Sequence, residues 1–91
     1  MEKSVATRPR LSRHVRLIWD SVRQRHALLI PEAVVVLNET AVSIVELCDG
    51  TRTIADIVAD LGKRYNGVKP EEVEQFLNGM VARGWIEDGH A

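Results

Sequence analysis

The chain has 91 residues, of which 45% are hydrophobic and 27% are charged, a composition typical of one small globular domain rather than of a disordered segment. No stretch approaches the roughly 18 consecutive apolar residues that a membrane span needs, and the opening MEKSVATRPRL lacks the apolar centre of a signal peptide. A single cysteine leaves no disulfide framework within the chain. These features predict a cytoplasmic protein with no membrane partner.

The charges are unevenly distributed, although the net charge is only −1. Residues 1–26 contain seven basic and two acidic side chains, a balance of +5, whereas residues 27–91 contain five basic and eleven acidic ones, a balance of −6. The first ten residues show no apolar period, so we expect a flexible basic arm over residues 1–10 and a single domain over residues 11–91. Exposed charges act mainly on the rate of association, which makes Arg8, Arg10 and Arg13 candidates for contact with a protein partner. The alternative is that the two oppositely charged halves face each other or solvent.

Three short segments after this arm predict β-strands. Over residues 14–20 (HVRLIWD) every second residue is apolar, and the opposite face is mixed because it includes Ile18. Residues 26–30 form the second segment, and residues 33–37 (AVVVL) form the third, which is rich in β-branched valine. Pro31 suits the turn between the last two segments. Links this short predict an antiparallel meander.

Beyond the third strand the apolar period becomes helical and predicts three amphipathic helices. Asn38 is the expected N-cap of the first helix, the spacing of Thr53 and Asp56 resembles a capping box, and Pro70 suits the first position of the third helix. Residues 85–86 either add a short final strand or close the core. The order predicts an α+β fold that is winged helix-turn-helix-like, with a three-stranded antiparallel sheet followed by three helices.

No group of residues indicates catalysis or a resident cofactor. The serines lie in no nucleophile motif, no Gly-rich loop precedes a helix, and the three histidines have no metal-ligand spacing with Cys48. Cys48 falls on the apolar stripe of the first helix, where a small buried hydrophobe is the usual role, and a functional thiol is the alternative. We therefore expect a protein that is not an enzyme and that holds neither metal nor cofactor.

Nucleic-acid binding is the competing function, because winged helix-turn-helix proteins read the major groove with the later helix. The exposed face of the third predicted helix carries Glu71, Glu72 and Glu74, and residues 70–79 contain no lysine or arginine. The phosphate backbone rewards positive charge, so this acidic helix disfavours DNA. We expect no nucleic-acid partner, and a nucleic-acid-binding winged-helix protein remains the alternative.

The third predicted strand is an edge that contains no charge, proline or glycine from Ala33 to Leu37. The first strand, the other edge of the meander, is protected by charged side chains. An apolar edge without such protection is either covered or used for recognition by strand addition. The alternative to recognition is that residues 85–87 cover this strand or that it lies in the middle of the sheet. The third helix either lines a groove beside this edge or belongs wholly to the core.

Several short motifs, in this order and at these spacings, resemble the PqqD family of pyrroloquinoline quinone (PQQ) biosynthesis proteins. The resemblance runs from about Arg8 to Asp88, and each motif is weakly specific alone. The motifs are Pro9-Arg10-Leu11, Leu28-Leu29 with Pro31-Glu32, Leu37-Asn38-Glu39-Thr40-Ala41, Leu47-Cys48-Asp49-Gly50, Pro70-Glu71-Glu72-Val73-Glu74 with Phe76-Leu77, and Gly84-Trp85-Ile86-Glu87.

The resemblance implies a RiPP recognition element, a winged-helix-like domain that binds the leader segments of ribosomally made precursor peptides. It implies a peptide chaperone that binds the precursor peptide PqqA and presents it to PqqE, a radical S-adenosylmethionine enzyme. We expect a monomer, although an open apolar edge could also pair with a second copy of the chain. In such domains the peptide adds as a strand beside the third strand and packs against the third helix. Among the residues so implied, we expect Phe76 to be mostly core and Met80 or Val81 to lie nearer the peptide. The candidate peptide-binding residues are Ala33, Val34, Val35, Val36, Leu37, Val73, Phe76, Leu77, Met80 and Val81.

Overall fold

The computed structural model describes residues 7–89, which fold into five strands and three helices. Strands β2, β3 and β4 form one antiparallel sheet in that order, and β1 pairs with β5 in a separate two-stranded sheet. The predicted α+β fold is confirmed, with the meander preceding the helices. No helix within residues 7–89 has the length and apolar character of a membrane span. The elements are β1 (Pro9–Leu11), β2 (Arg16–Asp20), β3 (Arg25–Ile30), β4 (Ala33–Val36), α1 (Glu39–Glu46), α2 (Ile54–Gly62), α3 (Pro70–Ala82) and β5 (Ile86–Asp88).

The ends of the helices follow the local signals in the sequence. The Asn38 side chain accepts a hydrogen bond from the Ala41 N–H at 2.8 Å, as expected of an N-cap. Thr53 and Asp56 form a complete capping box at the start of α2, and Pro70 occupies the first turn of α3. These contacts fix where each helix begins relative to the sheet.

The hydrophobic core lies between one face of the three-stranded sheet and the helices. Leu28 of β3, Ile57 and Leu61 of α2 and Leu77 of α3 are almost completely buried in one cluster. Cys48 belongs to the same cluster, and its Sγ–H donates to the Ile44 carbonyl at 3.2 Å. The thiol is therefore a small buried hydrophobe with a satisfied donor.

Burial raises the pKa of the Cys48 thiol to about 12, with a smaller contribution from the neighbouring carboxylate of Asp49. Because the thiolate is the reactive form, we expect native protein to resist a thiol-specific disulfide reagent at pH 8, whereas denatured protein reacts at once. Absorbance of the released thiolate checks this. Rapid reaction of the folded protein would contradict the buried, neutral state of Cys48.

The prediction of a flexible arm over residues 1–10 is wrong for residues 8–10, which bond to the rest of the domain. Residues 1–6 lie outside the described residues. Pro9 is almost fully buried and its carbonyl accepts from the Gly50 N–H at 3.0 Å. The Arg10 guanidinium pairs with the Glu87 carboxylate at 2.8 Å, and Arg8 donates to the Thr51 carbonyl at 2.8 Å. The reason for the error is that β1 has three residues, too few for a period, and its partner β5 lies near the other end of the chain.

Gly79 lies on the exposed side of α3, and an added Cβ would meet nothing within 4 Å. A helix-interior glycine is less favourable than alanine by about 1 kcal/mol, so we expect Gly79→Ala to raise the free energy of unfolding by about that amount. Gly84 ends α3 with φ +79°, so Gly84→Ala serves as the opposite control and lowers it. Urea denaturation measures both changes. If Gly79→Ala instead destabilises the domain, the result would show that the space around Gly79 is not open.

Candidate functional site

Strand β4 is an edge whose outer side is open. The sheet order places β4 beside β3 only, and β5 pairs with β1. Within residues 7–89, no strand therefore covers the outer side of β4. The alternative in which residues 85–87 cover this edge is wrong.

The hydrogen-bond register determines which backbone groups of β4 face outward. The Leu37 N–H donates to the His26 carbonyl at 3.1 Å, and Val35 lies directly opposite Leu28. Hydrogen-bonded and non-hydrogen-bonded pairs alternate along an antiparallel ladder, so Val35 exchanges its hydrogen bonds with β3. The N–H and carbonyl groups of Val34 and Val36 consequently point toward the open edge.

The side chains of β4 alternate between the two faces of the sheet. Val35 is half-buried and packs against the core, and Leu37 just beyond the strand is buried. Val34 and Val36 are exposed on the opposite face, and Ala33 is exposed beside the turn. The edge thus offers unpaired backbone groups together with apolar side chains, the combination that strand addition uses.

A cavity of about 370 Å³ begins two residues after β4, between the first turns of α1, the loop before α3 and α3 itself. This volume lies in the usual range of ligand sites, which are mostly apolar with a few polar groups. Most of the lining side chains are apolar, and Lys69 and Glu72 supply one charge of each sign. The lining residues are Asn38, Thr40, Ala41, Ile44, Leu61, Tyr65, Asn66, Gly67, Val68, Lys69, Glu72, Val73 and Phe76.

The residues predicted on α3 divide into cavity and core. Phe76 is half-buried and lines the cavity, together with the more deeply buried Val73. Leu77 and Met80 are only 0% and 4% exposed and do not line this cavity. That Leu77 binds the peptide, and that Met80 or Val81 lies nearer to it than Phe76, stay predictions. Val81 is half-buried against the core and does not line the cavity.

Sequence reasoning missed much of this cavity. Asn38 and Ala41 were visible only as a helix cap and a core position, although both line the cavity wall. The segment 65–69 also contributes, because α2 ends at Gly62 and the chain then turns back toward α1. The Asn66-Gly67 pair, with Gly67 at φ +74°, was the available signal for that turn.

The electrostatics of α3 oppose binding to a polyanion. Glu71, Glu72 and Glu74 are exposed at its N-terminal half, and none has an ion-pair partner among residues 7–89. Of the three arginines proposed for partner contact, Arg8 and Arg10 are bonded to their own domain. Arg13 is exposed. Over the described residues 7–89, no cluster of three or more His, Cys, Asp or Glu side chains suits a metal ion.

The fold agrees with comparisons to known proteins. The profile of the family described as Coenzyme PQQ synthesis protein D (PqqD) matches residues 25–86. A protein from Methylococcus capsulatus named PqqA binding protein is 39% identical over 80 residues, which cover 86% of this chain and 85% of that protein. The chain belongs to the PqqD family. Another PqqA binding protein, from Stutzerimonas stutzeri, is 42% identical over 82 residues, which cover 87% and 88% of the two chains.

A solved structure extends the PqqD likeness to three dimensions. It is the solution NMR structure of the PqqD truncation of Methylobacterium extorquens PqqCD, described as a functional and stand-alone RiPP recognition element. The two chains are 37% identical, each covers 87% of the other, and the TM-score is 0.67. The resemblance seen in the sequence motifs is therefore confirmed as membership of the PqqD family.

Proposed function

We propose that this chain is a peptide chaperone of PQQ biosynthesis that binds the precursor peptide PqqA by strand addition at β4. The observation that carries the proposal is the outward orientation of the Val34 and Val36 backbone groups on an open edge. Two relatives are named PqqA binding proteins, which supports PqqA as the peptide. The cavity lined by Val73 and Phe76 lies at the end of this edge and is suited to an apolar side chain of the peptide.

The geometry is consistent with binding of moderate strength. Val34 and Val36 each offer one N–H and one carbonyl, so an added strand forms about four hydrogen bonds worth roughly 0.5–1.5 kcal/mol each. One apolar anchor buried in the cavity contributes about 1.5–3 kcal/mol more. Ordering the peptide costs about 2–5 kcal/mol, and association carries a further cost. A dissociation constant on the order of micromolar, or tighter, follows.

The chain would hold the peptide for a separate enzyme. We propose that this enzyme is PqqE, the radical S-adenosylmethionine enzyme, and that the chaperone acts as a monomer in the cytoplasm and is itself not catalytic. Backbone pairing at β4 engages only a short extended segment, so the rest of the peptide stays accessible. Arg13 remains a candidate for contact with the enzyme, because its side chain is exposed.

Calorimetric titration with synthetic PqqA from the same organism tests this function. We expect saturable binding in the micromolar range. A duplex DNA titrated under the same conditions serves as the control and should give no binding, since the α3 face is acidic. The proposal would be contradicted if PqqA at about 100 μM gave no heat on titration and did not compete in a binding assay. Saturable binding of DNA would favour the winged-helix alternative.

A further inference from the structure

The face of the three-stranded sheet that points away from the helices carries exposed apolar side chains. Leu28 and Ile30 point into the core, so by alternation Leu29 points to the other side. Leu29, Val34 and Val36 are 42%, 41% and 38% exposed. Strand pairing aligns the side chains of this face in two neighbouring rows, Arg16–Leu29–Val34 and Ile18–Ala27–Val36.

This pattern departs from that of an ordinary solvated sheet face. In antiparallel sheets with one face on the core, the other face is usually polar. Here Ile18, Leu29, Val34 and Val36 lie together, and Ala27 between them is fully buried by its neighbours. Contiguous exposed apolar surface of this kind marks interaction sites.

The unpaired charge of Arg16 lies at the margin of this apolar surface, beside Leu29. Arg16 is exposed and has no hydrogen-bond or ion-pair partner among residues 7–89. Arg25, at the end of β3, donates to the Leu37 carbonyl at 3.3 Å and lines a cleft with Glu39 and Glu46 of α1, so its charge does not belong to this face. The Asp20 carboxylate, which is the acidic group on this face, forms an ion pair with the Arg23 guanidinium at 2.6 Å. A complementary surface therefore has an apolar centre with carboxylates at its margin.

We infer that this outer sheet face (Arg16, Ile18, Leu29, Val34 and Val36) docks an apolar surface with an acidic margin on the enzyme that modifies the peptide. The inference rests on the proposed function. A peptide strand added at β4 extends the same sheet, and its alternate side chains stand beside Val34 and Val36 on this face. An enzyme seated here contacts the chaperone and the bound peptide together, as presentation of the peptide requires.

The test measures binding of purified PqqE to the chain loaded with PqqA, using Arg16→Glu and Leu29→Glu. Arg16→Glu places negative charge against the acidic margin, and Leu29→Glu buries a negative charge against the apolar centre close to that margin, so we expect the dissociation constant for PqqE to rise about tenfold or more for both. Leu29→Lys loses the same apolar contact without repulsion and should weaken binding less. Arg64→Glu is the matched control, because Arg64 is exposed after α2, and it should bind PqqE like the wild type.

PqqA affinity and thermal unfolding are measured on every variant. Arg16 is on the surface, so Arg16→Glu should fold and bind PqqA normally, which keeps the test valid if Leu29→Glu unfolds. If the wild type binds PqqA and PqqE, and Arg16→Glu and folded Leu29→Glu bind PqqE equally well, the inference is overturned while the proposed function stands. If the wild type does not bind PqqA, both fail. A wild-type dimer in sedimentation that Leu29→Glu dissociates would also overturn the inference, because a second copy then covers this face.

Discussion

Proline at Val35 should destabilise the domain strongly, whereas proline at Val34 or Val36 should leave a folded protein with weakened binding of PqqA. The Val35 N–H belongs to the ladder with β3, while the N–H groups of Val34 and Val36 face the open edge. Proline removes the N–H donor, and at Val35 this breaks a hydrogen bond of the β3–β4 ladder and leaves the Leu28 carbonyl without its partner, a loss of about 1–3 kcal/mol before any steric cost. Small domains have only about 5–15 kcal/mol of total stability.

Circular dichroism melts and calorimetry with PqqA separate these effects. Each outward-facing proline removes one intermolecular hydrogen bond and disturbs its neighbours, so the dissociation constant should rise by about tenfold. Alanine at the same positions is the control, because it keeps the N–H and removes most of the side chain. Folded Val34→Pro and Val36→Pro proteins that bind PqqA like the wild type would show that β4 is not the docking edge.

A matched pair of substitutions on α3 should separate the core from the cavity. Leu77 is fully buried, so Leu77→Ala should lower the free energy of unfolding by about 2–5 kcal/mol while the protein that remains folded binds PqqA normally. Phe76 is half-buried and lines the cavity. Phe76→Ala should cost less stability and raise the dissociation constant about tenfold or more, because an apolar contact worth roughly 1.5–3 kcal/mol is lost.

Urea denaturation gives the stability of both variants, and titration at a temperature where both are folded gives their affinity. The opposite pattern, in which Phe76→Ala loses as much stability as Leu77→Ala and keeps full affinity, would assign Phe76 to the core. The cavity would then not be the anchor site, although strand addition at β4 could still hold.

The parts of the fold that were predictable depend on interactions near in sequence. The turn at Pro31, the cap at Asn38 and the box of Thr53 with Asp56 are each specified within a few residues, so the meander and the helix starts could be predicted. The β1–β5 pairing was missed because it joins distant three-residue strands. A period cannot be recognised over so few residues.

The sequence was enough to predict which strand and which helix form the candidate site. It was not enough to predict which backbone groups and side chains of these elements are exposed there. Absence of charge singled out β4, yet the outward direction of the Val34 backbone depends on register, which the sequence alone does not fix. Phe76, Leu77 and Met80 fall on one helical stripe, but only Phe76 lines the cavity. Periodicity identifies the face of a helix that is apolar, and the depth of each residue depends on the elements packed against it.

Amide hydrogen exchange across β4, with and without PqqA, tests strand addition most directly. In the free protein the Val35 amide should exchange slowly, because it is bonded to β3, and the Val34 and Val36 amides should exchange fast. Saturation with PqqA should slow exchange at Val34 and Val36 by a large factor. Saturated binding that leaves both amides exchanging as in the free protein would contradict docking of the peptide at this edge.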